Sequence, residues 1–73
     1  MERKVQIQTP FIKLDALLKL SNMVDSGGEA KILIQDELVT VNGEVCTMRG
    51  RKCIPGDQVE MDGVKLIVCG DSE

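Results

Sequence analysis

Seventy-three residues suffice for one domain, and a chain this short buries only about 60% of the surface its unfolded form exposes, which leaves little room for a deep substrate cleft. Hydrophobic residues at 42% and charged residues at 29% fit an ordinary globular protein. A formal net charge of −3 argues at first sight against a polyanionic partner, and the lack of histidine removes the commonest general base.

In chain order, Lys-Val-Gln-Ile-Gln at 4–8 alternates polar and apolar residues and predicts a short edge strand, broken by Thr9-Pro10. Phe11, the one aromatic residue, is expected in the core. From Leu14 the period becomes helical, with Leu14, Leu17 and Leu18, then Leu20, Met23 and Val24 on the apolar stripe and Asp15 as the expected N-cap. Residues 22–25 join this helix to a second one. There Ser26-Gly27-Gly28-Glu29 reads as a capping box, in which the serine hydroxyl accepts from the backbone N–H of the glutamate and the glutamate reaches back. Ala30, Leu33 and Ile34 form the second buried stripe, with Leu38 one turn on and Lys31 and Gln35 on another face.

Beyond residue 38 the pattern changes to strand. Val39-Thr40-Val41 and Val45 flank Asn42-Gly43, and the stretches 58–61 and 64–68 flank Asp62-Gly63. Both dipeptides favour the two-residue hairpin, whose turn positions need positive φ. Pro55-Gly56-Asp57 supplies another turn. The expected fold class is α+β, two short helices packed on a small, mostly antiparallel sheet in a single domain over 1–73, with 70–73 as a loose tail.

The charge is unevenly placed. Residues 1–25 carry four basic and three acidic side chains, 26–53 carry four of each, and 54–73 carry one basic and five acidic. Within 46–54 there are three basic residues and no acid. Screening removes charges farther than about 8–10 Å, so local density decides whether a phosphate is attracted. Arg49-Gly50-Arg51-Lys52 is therefore a candidate anion site: arginine donates in a planar fork that suits phosphate oxygens, and Gly50 lets the backbone approach. The plain alternative is a solvated loop. Ser26-Gly27-Gly28 is the second candidate, because the first N–H groups of a helix lack intrahelical partners and the dipole is positive there. Lys31 would add a full charge. The alternative is a cap and a turn, and the P-loop pattern is absent.

Cys46, Cys53 and Cys69 are odd in number and have neither short Cys-x-x-Cys spacing nor histidine, so neither a disulfide framework nor a zinc site is expected. Reduced thiols in a cytoplasmic protein are expected. Cys53, beside Lys52, could be somewhat activated, yet nothing supplies a base for catalysis. The start Met-Glu-Arg-Lys does not resemble a signal peptide. No stretch approaches the roughly 20 apolar residues of a membrane-spanning helix. The reading is of a non-enzymatic chain that takes no cofactor or metal.

The ordered set Lys13-Leu14-Asp15-x-x-Leu18, Ser26 with Ala30, 32–34, Val39-x-Val41-Asn42-Gly43-x-Val45 and Gly56-Asp57-x-Val59 resembles the S-four RNA-binding domain, over about residues 11–68. The version here is most similar to small stand-alone bacterial members. The resemblance implies a helix–turn–helix unit with a sheet, the αL motif, that binds structured RNA such as ribosomal RNA, tRNA or a stem-loop. By position, Lys13 stands where that pattern usually has arginine, Ser26 matches its serine, and Asn42-Gly43 its Asn-Gly. Gly27 replaces the arginine after the serine and removes one expected phosphate contact, which Lys31 and the 49–52 loop are expected to take over. The expected RNA-binding residues are Lys13, Ser26, Gly27, Gly28, Lys31, Asn42, Arg49, Arg51 and Lys52. Lack of aromatic stacking platforms favours folded RNA over single strands. A monomer is expected, free or within a ribonucleoprotein, with no membrane partner. The competing reading is a protein-interaction adaptor that uses the acidic C-terminal third.

Overall fold

The computed structural model describes residues 1–70. Of the expected loose tail at 70–73, all but Gly70 lies outside them. Strand β1 (Glu2–Gln6) is followed by β2 (Ile12–Lys13), helix α1 (Leu14–Leu20) and helix α2 (Gly27–Gln35). Then come β3 (Val39–Val41), β4 (Glu44–Val45), β5 (Lys52–Cys53), β6 (Gln58–Met61) and β7 (Val64–Cys69). The main sheet runs β1-β7-β6-β3-β4, and β2 pairs separately with β5. Only β1 and β7 are parallel; the other pairs are antiparallel. This is the α+β arrangement of two helices on a mostly antiparallel sheet that the sequence predicts.

Period-2 alternation decides which sheet face is covered. In β6, Val59 and Met61 are buried while Gln58 and Glu60 are exposed, and in β7 Leu66 and Val68 point inward. Against them pack Leu14, Leu17 and Leu18 of α1 and Ala30 and Ile34 of α2, with Val24, Val39, Val41 and Cys53 completing one core. No charged or polar residue is buried among the described residues. The Asn42-Gly43 and Asp62-Gly63 turns have φ of 54° and 88°, and of 54° and 79°, so both residues of each turn are left-handed, as the tight hairpin requires.

Four expectations need correction. The first strand lies at 2–6 rather than 4–8, because its length is set by pairing with β7, from Glu2 opposite Lys65 to Gln6 opposite Cys69. Its exposed residues carry no hydrophobic signal for that register. Asp15 does not cap α1. Lys13 occupies the N-cap with extended φ −71° and ψ 149°, held so by pairing with β5. Asp15 instead accepts from the Ala16 N–H at 2.7 Å. Helix α1 ends before Met23 and Val24: Asn22 turns left-handed at φ 63°, and the Met23 N–H reaches the Leu18 carbonyl at 2.9 Å. Leu20 and Leu38 are 56% and 53% exposed, and Phe11 is exposed rather than in the core.

Helix α2 starts as its sequence predicts. Ser26 Oγ accepts from the Glu29 N–H at 3.2 Å, while Glu29 Oε1 accepts from the N–H of Asp25, one residue outside the usual box, at 2.9 Å. Its C-terminus is less favourable. Glu37 takes the left-handed position at φ 63°, where glycine is the usual residue, and an acid there faces the negative end of the helix dipole. Both effects cost stability, so Glu37→Gly is expected to stabilise the fold by about 1 kcal/mol, read as a higher urea midpoint at unchanged m. A lower midpoint would mean that the Glu37 side chain makes an interaction worth more than the strain.

Cys53 is not an activated thiol. It is wholly buried, and burial first, then the charge of Asp57, push its pKa up from 9.0 to about 11 despite Arg51 nearby. A thiol whose folded pKa is raised favours the folded state below its unfolded value and loses that contribution as pH climbs through the folded one. Stability is therefore expected to fall by about 1–3 kcal/mol between pH 9 and 11 in the reduced protein, and Cys53→Ala should lack that fall. A disulfide reagent at pH 8 should modify the half-buried Cys46 and Cys69 before Cys53.

Candidate nucleic-acid interface

The 46–53 segment leaves the β3–β4 hairpin and returns along the start of α1. A helix begins with N–H groups that have no partner within it, and Lys13 offers no side-chain cap. The segment supplies the acceptors: the Leu14 N–H donates to the Arg51 carbonyl at 2.9 Å, and the Asp15 N–H to the Arg49 carbonyl at 3.1 Å. A turn closed by the Arg51 N–H on the Met48 carbonyl at 3.1 Å brackets Gly50. Pairing of β2 with β5 sets Lys13 opposite Lys52. Lys13, Arg49, Arg51 and Lys52 are thereby fixed together on two adjoining backbone segments.

The electrostatics of this group are unbalanced. Like charges opposite each other on paired strands destabilise by about 0.2–1 kcal/mol. Among the described residues none of these four cations, nor Lys31, has an ion-pair partner; the one pair present joins Lys65 to Glu60 at 3.7 Å. Lys52 Nζ lies 4.9 Å from the centre of the Phe11 ring, a cation–π contact that steadies the ammonium without neutralising it. Arg51 is half-buried and lines a cleft of about 250 Å3 with Thr47, Met48 and Glu44. Its Nε–H is buried with no acceptor among the described residues. Gathered cations that form no ion pair are what an anionic ligand complements.

The other expected residues lie elsewhere. Ser26, Gly27, Gly28 and Lys31 sit at the start of α2, and among the described residues no hydrogen bond joins them to the 49–52 loop. A Cβ on Gly27 would meet nothing within 4 Å, and one on Gly28 only Ser26 Oγ at 3.8 Å. Neither glycine has a positive φ, so the fold does not require them. Glu29 already brings a carboxylate to this helix end.

Asn42 has a structural task. Its Nδ2 donates to Asp57 Oδ1 at 3.2 Å, and its Oδ1 accepts from the Gln58 N–H at 3.0 Å. Asp57 Oδ2 accepts from the Ile54 N–H at 3.0 Å. The Asn-Gly and Gly-Asp motifs thus lock the β3–β4 turn to the 54–57 turn. Sequence reasoning missed this pairing and the Phe11–Lys52 contact, since neither is carried by local spacing. It also missed Lys19, which borders an apolar cleft of about 460 Å3 with Ile12, Ala16 and Leu20.

Comparison with known proteins bears on the family and the fold. The S4 domain model matches residues 5–69. The probable ribosome maturation protein RlbA of Bacillus subtilis (strain 168) is 41% identical over 63 residues, covering 86% of this chain and 89% of that protein. YbcJ of Escherichia coli (strain K12) is 39% identical over 54 residues, covering 74% and 77%. The solution structure of Escherichia coli YbcJ, described as revealing an αL motif involved in RNA-binding, superposes with a TM-score of 0.70 at 33% identity, over 90% of this chain and 85% of that one. On the match over residues 5–69 and the shared fold, the chain belongs to the S4 domain family.

Proposed function

We propose that this chain binds structured RNA, mainly through phosphate contacts from Lys13, Arg49, Arg51 and Lys52, with Lys31 and the backbone at Gly27 and Gly28 as a second point of contact. The observation that carries the reading is the pinning of the basic loop to the start of α1, which sets four cationic residues on adjoining, held backbone with no ion-pair partner among the described residues. A backbone already held loses little further freedom when phosphates arrive, so less of the binding energy goes into ordering it. Family membership and the RNA-binding motif described for YbcJ support the same conclusion. Asn42 contributes by holding the turn rather than by touching RNA. Catalysis has no place in this reading.

The favoured target is ribosomal RNA, free or in an assembling ribonucleoprotein, with tRNA and other stem-loops as alternatives; RlbA, a probable ribosome maturation protein, supports that order. The protein would act in the cytoplasm as a monomer. Among the described residues no helix is long and apolar enough to cross a membrane. The only aromatic ring is occupied on one side by Lys52, which favours backbone and shape recognition over stacking of splayed bases.

Amide shifts of the labelled protein, followed while ribosomal stem-loops and tRNA are added, test the site: changes at 13–15 and 49–52 that reverse with salt are expected. Silence there at low salt would remove the proposal. With four phosphate contacts, the log–log dependence of affinity on salt should have a slope of about −3 to −4. Arg51→Ala should flatten it by about one unit; an unchanged slope would take Arg51 out of the interface. Gly28→Ala should leave folding unchanged or improve it by up to about 1 kcal/mol, since the new Cβ has room, while weakening RNA binding. Unchanged affinity would confine RNA to the loop.

A further inference from the structure

Helix α2 is followed by Asp36, Glu37 and Leu38, and its last turn holds no basic residue. Leu38 is half exposed. Below it opens a cleft of about 390 Å3 lined by Met23, Glu29, Leu33, Leu38, Met61 and Asp62. A second cleft, of about 280 Å3, shares Leu38, Met61 and Asp62 and adds Glu60. Leu33 and Leu38 meet there because the chain doubles back at the left-handed Glu37, where the Leu38 N–H donates to the Leu33 carbonyl at 3.2 Å. The two clefts adjoin through these shared residues, and the groove they make is lined by leucine and methionine together with three carboxylates. No lysine or arginine lines either part. Lys65 touches Glu60 from outside, in an exposed pair at 3.7 Å that is worth little in salt. Glu29 commits one oxygen to the Asp25 N–H, leaving the other free.

We propose that this groove docks a basic protein segment, one that presents leucine-like side chains flanked by lysines or arginines. Charge complementarity selects that occupant. The carboxylates of Glu29, Glu60 and Asp62, with Asp36 and Glu37 just beyond, repel phosphate, so neither RNA nor an anionic lipid surface fits. The apolar lining separates the site from a merely acidic patch: an exposed leucine between two clefts gains from an apolar anchor, and the surrounding acids fix that anchor's flanks. The residues that form the groove are distinct from the cationic group at Lys13 and 49–52, so the proposal does not rest on RNA binding; only Glu29 adjoins the second phosphate contact at Gly27, Gly28 and Lys31.

The probe is a fluorescent amphipathic peptide of leucine and lysine, with two controls: the same peptide with glutamate for lysine, and a lysine-only peptide. The leucine–lysine peptide should bind, shift the amides of 36–38 and 60–63, and weaken with salt; neither control should match it. Leu38→Ser and Asp62→Asn should each weaken it by about threefold or more. Glu37→Gly should weaken it while stabilising the fold, which separates weaker docking from weaker folding. RNA affinity should be the same in all three variants. Equal binding of either control, shifts confined to other residues, or full affinity in Leu38→Ser would overturn the proposal. So would a concentration-dependent dimer abolished by either Leu38→Ser or Arg51→Ala, which would make the occupant a second copy's basic loop. Weaker RNA binding in Arg51→Ala with peptide binding intact would show that the two sites stand or fall separately.

Discussion

Two hydrogen bonds, from the N–H groups of Leu14 and Asp15 to the carbonyls of Arg51 and Arg49, tie the most charged stretch of the chain to the first turn of its first helix. Each satisfies a donor that would otherwise depend on water or a side-chain cap. In doing so they convert a loop into a rigid platform. The β2–β5 pair extends the same seam by two residues, and Cys53, wholly buried at its end, anchors it in the core. The arginines use their backbone carbonyls for the fold, which leaves their side chains uncommitted to any acid. A loop that merely projected into solvent would lose backbone entropy as well when a ligand ordered it.

The parts of this fold written in local sequence were legible. Helical spacing marked Leu14, Leu17 and Leu18, and the Asn-Gly and Asp-Gly pairs fixed both hairpins and with them the strands on either side, because each signal arises from forces within a few residues. The errors fell where a distant segment decides. Lys13 became an N-cap because β5 holds it extended, against the expectation that favoured Asp15. Strand β1 shifted two residues toward the N-terminus because β7 sets its register. Phe11 lies outside the core, where its ring meets Lys52, far along the chain. For the candidate site, residue types and local charge pointed to the 49–52 loop. That Lys13 belongs with it follows only from pairing across nearly forty positions, and that Asn42 serves the turn follows only from Asp57. Residue by residue, the motif does not distinguish a contact from a brace.

The total charge was the feature most open to misreading. A sum of −3 describes the potential far from the molecule, whereas ligands meet it within one screening length of about 8–10 Å. Four of the cations are gathered by the seam at α1, while Asp36 and Glu37 close α2 and Glu60 and Asp62 flank the β6–β7 turn. Each gathering carries a local cost: Lys13 opposite Lys52 on one side, Glu37 at a left-handed helix end on the other.

Those two costs bear on function differently. The lysine pair follows from strand register, which the core dictates, so stability alone could account for it once the side chains are long and solvated. Glu37 has no such excuse. Glycine in its place would relieve the backbone and remove a charge from the negative end of the helix without disturbing the core, since Glu37 is exposed. A residue that is unfavourable in both respects at an exposed position makes sense if its charge faces something the isolated chain does not contain. The neighbouring groove, with an uncovered leucine and carboxylates but no cation among its lining residues, has the polarity that such a partner would match. Sequestering a basic segment there, while the cationic platform holds phosphates, would let one small domain join an RNA to a protein that itself carries positive charge. Competition between that protein and the platform for the same phosphates would fall, because the groove occupies the protein's cations while RNA stays on the loop.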